Sequence, residues 1–165
     1  MERKLRHLQN NLVIAGTGLM AFTFWNIIRV LLFLVTYRSE LKEYIQSLAE
    51  EEGTEIPPIL VYLVLILIVV LVSLPYIIIG KSARTDGMGK KKKTFFIVLA
   101  VIMLIPQALI AIFSISEVFD AGEALIEALI TALIDLTTFC VLMETVITAI
   151  LVKKYRKLLS AGGAK

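Results

Sequence analysis

The chain has 165 residues, 58% of them hydrophobic and 19% charged, with a formal net charge of +3 and a mean hydropathy of +0.86. Soluble globular domains are about 45–50% apolar, so much of this chain has lipid as its solvent. That balance excludes a secreted disulfide scaffold, a disordered tail and an ordinary cytosolic enzyme.

Four apolar stretches exceed the roughly 18–20 residues that a bilayer requires: residues 11–36, 58–80, 94–116 and 121–152. They predict an all-α integral membrane protein, a four-helix transmembrane bundle forming a single domain over residues 1–165. The first stretch is too long for the apolar part of a cleaved signal, and no small-residue cleavage site follows it, so it reads as a retained span. It carries Asn26 and Arg29, with Trp25 one turn below the arginine. Ala15, Gly16, Gly18 and Ala21 allow close helix contact on the same span.

Beyond it, Leu41, Tyr44, Ile45 and Leu48 recur at the i, i+3, i+4, i+7 spacing of a helix with one apolar face. Ser39 suits its start and Gly53 its end. The expectation is a short helix over 39–52 lying in the membrane interface. Pro57 and Pro58 restart the chain, and the second span that follows is nearly featureless apart from Tyr62 and Ser73, which marks it as the most lipid-exposed. Pro75 in this span and Pro106 in the third each free a helical carbonyl.

The basic segment 81–93 contains Lys90, Lys91, Lys92 and Lys93. Its glycines lack the spacing of a phosphate-binding loop and no strand precedes them, so these lysines, with Lys153 and Lys154, read as facing anionic headgroups. In the third span Ala100, Gln107, Ala111 and Ser114 form a small, polar stripe. The fourth opens with Asp120-Ala121-Gly122-Glu123, at capping-box spacing. Along it Ala124, Ala128, Thr131, Asp135, Thr138, Leu142, Thr145 and Ala149 alternate steps of four and three. That is the seam of left-handed helix packing, filled with small and polar residues, and the third span is its natural mate. Thr137, Glu144 and Thr148 lie off that seam, which makes them the expected face for a partner or a second copy.

Lysine and arginine set the orientation. All but three of the 17 basic residues fall in the N-terminal ten residues, the 81–93 segment and the 153–165 tail; Arg38, Lys42 and Arg29 are the exceptions. Both termini are therefore expected in the cytoplasm, with the protein multi-pass in a plasma or inner membrane. The opposite loops are acidic.

Polar groups in hydrocarbon are the functional candidates, because a charge near the bilayer centre costs at least ~2.5–3.5 kcal/mol. Counted at ~1.5 Å per residue, Asn26, Arg29, Gln107 and Asp135 can share one belt in the outer half of the membrane. Arg29 with Asp135 is the best charge pairing, as a static pair fixing register; snorkelling of Arg29 and a solute or proton site are its alternatives. With His7 the one histidine and Cys140 the one cysteine, zinc sites and Ser-His-Asp or Cys-His catalysis lack their parts. No cofactor, metal or nucleic acid is expected. The sequence reads as a non-enzymatic membrane protein, self-associated or a helper subunit beside another membrane protein; the alternative is a small transporter or channel using the Asn26, Arg29, Gln107 and Asp135 belt.

Overall fold

The computed structural model describes residues 2–52, 57–90, 94–120 and 122–162. Among them the regular elements are all helical: α1 (Glu2–Thr36), α2 (Arg38–Glu52), α3 (Pro58–Gly87), α4 (Phe95–Asp120), a 3-10 turn at Gly122–Ala124, and α5 (Leu125–Gly162). α1, α3, α4 and α5 are each long and apolar enough to cross a membrane. Large apolar side chains stand exposed on all four, among them Ile14, Leu63, Ile105, Phe113 and Leu133. In water such surface would drive aggregation; in hydrocarbon it is solvated. The chain is a multi-pass helical membrane protein.

Three helices run past the apolar stretches into their basic flanks, at the start of α1 and the ends of α3 and α5. Lysine and arginine are good helix formers, and their long stems hold the charge away from the backbone, so a basic flank does not break the helix. The first part of the 81–93 segment is thus helix rather than loop. α3 then stops at a Schellman motif. Gly89 takes φ of +74°, Lys90 N–H donates to Thr85 O at 3.1 Å and Gly89 N–H to Asp86 O at 2.9 Å, so the last carbonyls are satisfied.

Two expected helix starts move. Tyr37 alone separates α1 from α2; its N–H donates to Phe33 O, and its carbonyl accepts from Leu41 N–H, both at 2.9 Å. Ser39 therefore sits inside the first turn rather than capping it. Asp120 ends α4 instead of capping α5, because Gly122 at φ +48° turns the chain and α5 opens only at Leu125. Glu127 occupies its first turn, where the helix dipole favours an acid. Gly53, Glu55, Ala121, and the side chains of Leu48 and Glu123 lie outside the described residues.

The chain forms two compact units, Met1–Phe22 with Pro75–Lys165, and Thr23–Leu74. In the first, parts of α1 and α3 pack with α4 and α5 around Leu12, Leu19, Tyr76, Ile79, Ala83, Phe96, Ala100, Leu142, Val146, Ala149 and Val152. Each helix supplies a seam of alternating three- and four-residue steps: Leu5, Leu8, Leu12, Ala15, Leu19 on α1, and Tyr76, Ile79, Ala83, Asp86 on α3. The α4 stripe of Ala100, Gln107, Ala111 and Ser114 is buried, as is the α5 seam from Asp135 to Ala149.

Lipid tails are as apolar as leucine, so contact between spans comes from packing and hydrogen bonds rather than from the hydrophobic effect. α1 and α3 approach each other closely at their glycines. A Cβ on Gly16 would lie 2.7 Å from Gly80 O and 2.8 Å from Arg84 N, and one on Gly87 would lie 2.7 Å from Gln9 O. Backbone rests on backbone there, which only glycine permits.

The second unit contains the later part of α1, α2, and α3 up to Leu74. Tyr62 Oη donates to Arg38 O at 3.3 Å, the Phe33 and Tyr37 rings are 4.8 Å apart, and Ile45 on α2 is buried. The expectation of a lipid-exposed second span holds for one half of α3. Most residues over 59–72 are exposed, whereas Tyr76, Ile79, Ala83 and Asp86 are among the most buried in the chain.

Candidate functional site

Two clusters of hydrogen-bonded side chains are buried in the first unit. One lies among α3, α4 and α5. Tyr76 Oη donates to Gln107 Oε1 at 2.8 Å, and Gln107 Nε2 donates to the Asp135 carbonyl at 3.2 Å. Ser114 Oγ donates to Asp135 Oδ2 at 2.6 Å, the length expected of a hydroxyl on a carboxylate oxygen. All four side chains are buried. Tyr76 follows Pro75 and Gln107 follows Pro106, so each polar group comes one residue after an intrahelical proline. Thr138 and Thr145 on α5 bond back to the carbonyls of Ile134 and Val141 and need no partner across the contact.

The other cluster closes the basic end of the unit. Arg156 Nη1 donates to Asp86 Oδ1 at 2.5 Å and its Nη2 to the Asp86 carbonyl at 2.6 Å. One guanidinium fork thus holds a carboxylate and a C-terminal carbonyl of α3, where the helix dipole also favours a cation. Asp86 has no solvent exposure, and its Oδ2 has no hydrogen-bond partner among the described residues. Sequence reasoning missed this pair. The signal was present: Asp86 is the one acid between Lys81 and Lys93, and it falls one step of the seam beyond Ala83.

Of the expected belt, the structure brings Gln107 and Asp135 together and adds Tyr76 and Ser114. Asn26 and Arg29 belong to the second unit. Asn26 Oδ1 and Arg29 Nη1 are each buried without a hydrogen-bond partner among the described residues. The expected Thr137, Glu144 and Thr148 face divides. Thr148 is buried at 4% exposure, Thr137 is half-buried with its hydroxyl on Leu133 O, and Glu144 is exposed. Thr148 therefore faces its own unit: from Thr145, a fully buried seam residue, it is three positions on, which keeps it on the same side of the helix. Cys140, one turn before Glu144, is exposed as well. Lys90 and Lys154 are exposed and Lys153 half-buried; Lys91, Lys92 and Lys93 lie outside the described residues.

Two open cavities flank α5. At its acidic end a space of about 420 Å³ is lined by Ser116, Glu117, Asp120, Glu127 and Thr131, with Ala124 and Ala128 of the seam at its floor. At its basic end a groove of about 470 Å³ runs between α1 and α5. Among the described residues no group of three or more His, Cys, Asp or Glu side chains is placed to hold a metal ion. No family model, curated protein or solved structure matches this chain.

Proposed function

We propose that this protein is a non-enzymatic membrane module that works as a subunit of an assembly, joined through the Glu144 face of α5. The observation that carries this is the position of Glu144. It is exposed, yet it stands nine residues before Lys153, roughly 13 Å into a hydrocarbon core about 30 Å thick. A carboxyl group on a lipid-facing surface at that depth is costly alone and is relieved by a hydrogen-bonding neighbour. A second copy is the favoured occupant. Copies inserted with one topology hold Glu144 at one depth, so a two-fold axis brings the two carboxyl groups together. A helper subunit with a polar group at that depth is the other form of the same reading. The distribution of lysine and arginine supports cytoplasmic termini, and the apolar spacing of Leu41, Tyr44, Ile45 and Leu48 supports an interfacial α2; the membrane is read as a plasma or inner one.

Cys140 is the chain's one cysteine and lies a turn from Glu144, so it reports on the contact directly. Oxidative cross-linking in native membranes is expected to give a disulfide-linked dimer, lost in Glu144→Leu and kept in Glu144→Gln. A partner-free monomer by mass in mild detergent, with no cross-link, refutes the proposal. A complex of this chain with one different polypeptide, lost in Glu144→Leu, establishes the helper form.

The second reading, a small transporter or channel, rests on the buried cluster of Tyr76, Gln107, Ser114 and Asp135 beside two prolines. Under it, Asp135→Asn changes solute or proton flux in proteoliposomes while the fold stays intact; under the first reading it changes stability alone.

A further inference from the structure

We infer that the groove between the start of α1 and the end of α5 is a binding site for one anionic phospholipid of the leaflet on the basic side. Its walls are Arg3, Lys4, His7 and Leu8 from α1, and Leu151 and Tyr155 from α5. Positions 3 and 7, 4 and 8, and 151 and 155 are each one helical turn apart, so every wall is a single helix face. Among the described residues no acidic side chain lines it.

The order of chemistry along the groove matches that of a phospholipid. Leu151 lies at the end of the 121–152 apolar stretch, at the edge of the hydrocarbon. Leu8 and Tyr155 each stand three residues outside their apolar stretches, at the level where tyrosine is enriched in membrane proteins. Arg3, Lys4 and His7 are exposed beyond it, at headgroup level. A phosphate oxygen there meets two cations and an imidazole, while the acyl chains leave past the two leucines into lipid. The volume of about 470 Å³ lies within the ~300–1,000 Å³ range of small-ligand sites. A free phosphate uses the cations but leaves Leu8, Leu151 and Tyr155 without a role; a zwitterionic lipid uses the apolar wall but brings no net charge to the cations.

The test titrates the full chain in detergent with phosphatidylglycerol, or with phosphatidylcholine of the same acyl chains, and reads bound lipid by native mass spectrometry. Phosphatidylglycerol is expected to bind at least tenfold more tightly. The pair Arg3→Gln and Lys4→Gln is expected to weaken it roughly 10- to 30-fold, from the ordinary contribution of a basic residue at an anionic surface. The control pair Lys154→Gln and Lys157→Gln, exposed residues outside the groove, removes the same charge and is expected to weaken it less than threefold. Equal binding of the two lipids overturns the proposal, as does an equal loss in both variant pairs, which marks diffuse attraction to a basic rim. Displacement of phosphatidylglycerol by millimolar inorganic phosphate also overturns it, in favour of a free-anion site.

Discussion

Alanine at Gly16 adds one methyl group where the backbones of α1 and α3 meet. Its Cβ would meet Gly80 O at 2.7 Å, Arg84 N at 2.8 Å and Ala83 Cβ at 3.1 Å, where ordinary contact begins at 3.4 Å. The first two are helical backbone atoms of α3 and have no rotamer in which to retreat. α1 and α3 must therefore part by about 0.7 Å. A gap of 0.5–1 Å forfeits roughly a quarter to a half of each pairwise attraction of ~0.1–0.2 kcal/mol, so a contact the size of one buried leucine side chain, about 40 atom pairs, loses about 2 kcal/mol. Overpacking costs of ~1–3 kcal/mol agree with that figure. Opposing it is the better helix propensity of alanine, at most ~1 kcal/mol, so the clash prevails and a net loss of about 1–2 kcal/mol is expected. Gly18 is the internal control, two residues along the same helix. Its added Cβ meets only Val141 Cγ1 at 3.8 Å, so Gly18→Ala is expected to be neutral or stabilising by up to ~1 kcal/mol. Unfolding in mixed micelles of rising SDS content, followed by circular dichroism, compares the three proteins. A Gly16→Ala variant as stable as wild type, or indistinguishable from Gly18→Ala, refutes the backbone-contact argument.

Two further outcomes follow from the hydrogen bonds. Asp86→Ala leaves Arg156 without its carboxylate; because Arg156 is 17% exposed and so reaches some water, the loss is expected near 2–3 kcal/mol rather than the ~3–5 of a fully buried pair. A double-mutant cycle with Arg156→Ala checks it, a coupling below about 0.5 kcal/mol counting against the clasp. In the α3, α4 and α5 cluster, Ser114→Ala is expected to cost ~1–3 kcal/mol by leaving Asp135 Oδ2 unpartnered, and Tyr76→Phe ~1 kcal/mol. The same unfolding assay reads both, and a Ser114→Ala loss no larger than that of the exposed Ser116→Ala argues that Asp135 has other support.

Gln107 and Asp135 were legible as candidates because an amide and a carboxyl group are costly in hydrocarbon, and their stripes showed at heptad spacing. Ser114 was legible only as a member of a stripe, and Tyr76 was not marked at all in a span that reads as nearly featureless, since a hydroxyl carries no charge that marks it out. Asp86 and Arg156 are 70 residues apart and sit in basic flanks that read as solvated topology anchors. Their pairing shows only once α3 is seen to continue to Gly87 and to bring the acid onto α5. Thr148 illustrates the reverse error: helical spacing separated it from the seam residues chosen first, but a packed helix buries a broader arc than a one-residue-wide seam.

The sequence by itself determined the solvent, the number of spans, the expected orientation and the small-residue faces of α4 and α5, because these depend on transfer energies and helical period, which act locally. Tertiary structure decided which polar atoms meet, where glycine is indispensable and which end of α3 is core. Those depend on the relative rotation and separation of helices, where a fraction of an ångström separates a contact from a clash, and no local pattern encodes such distances.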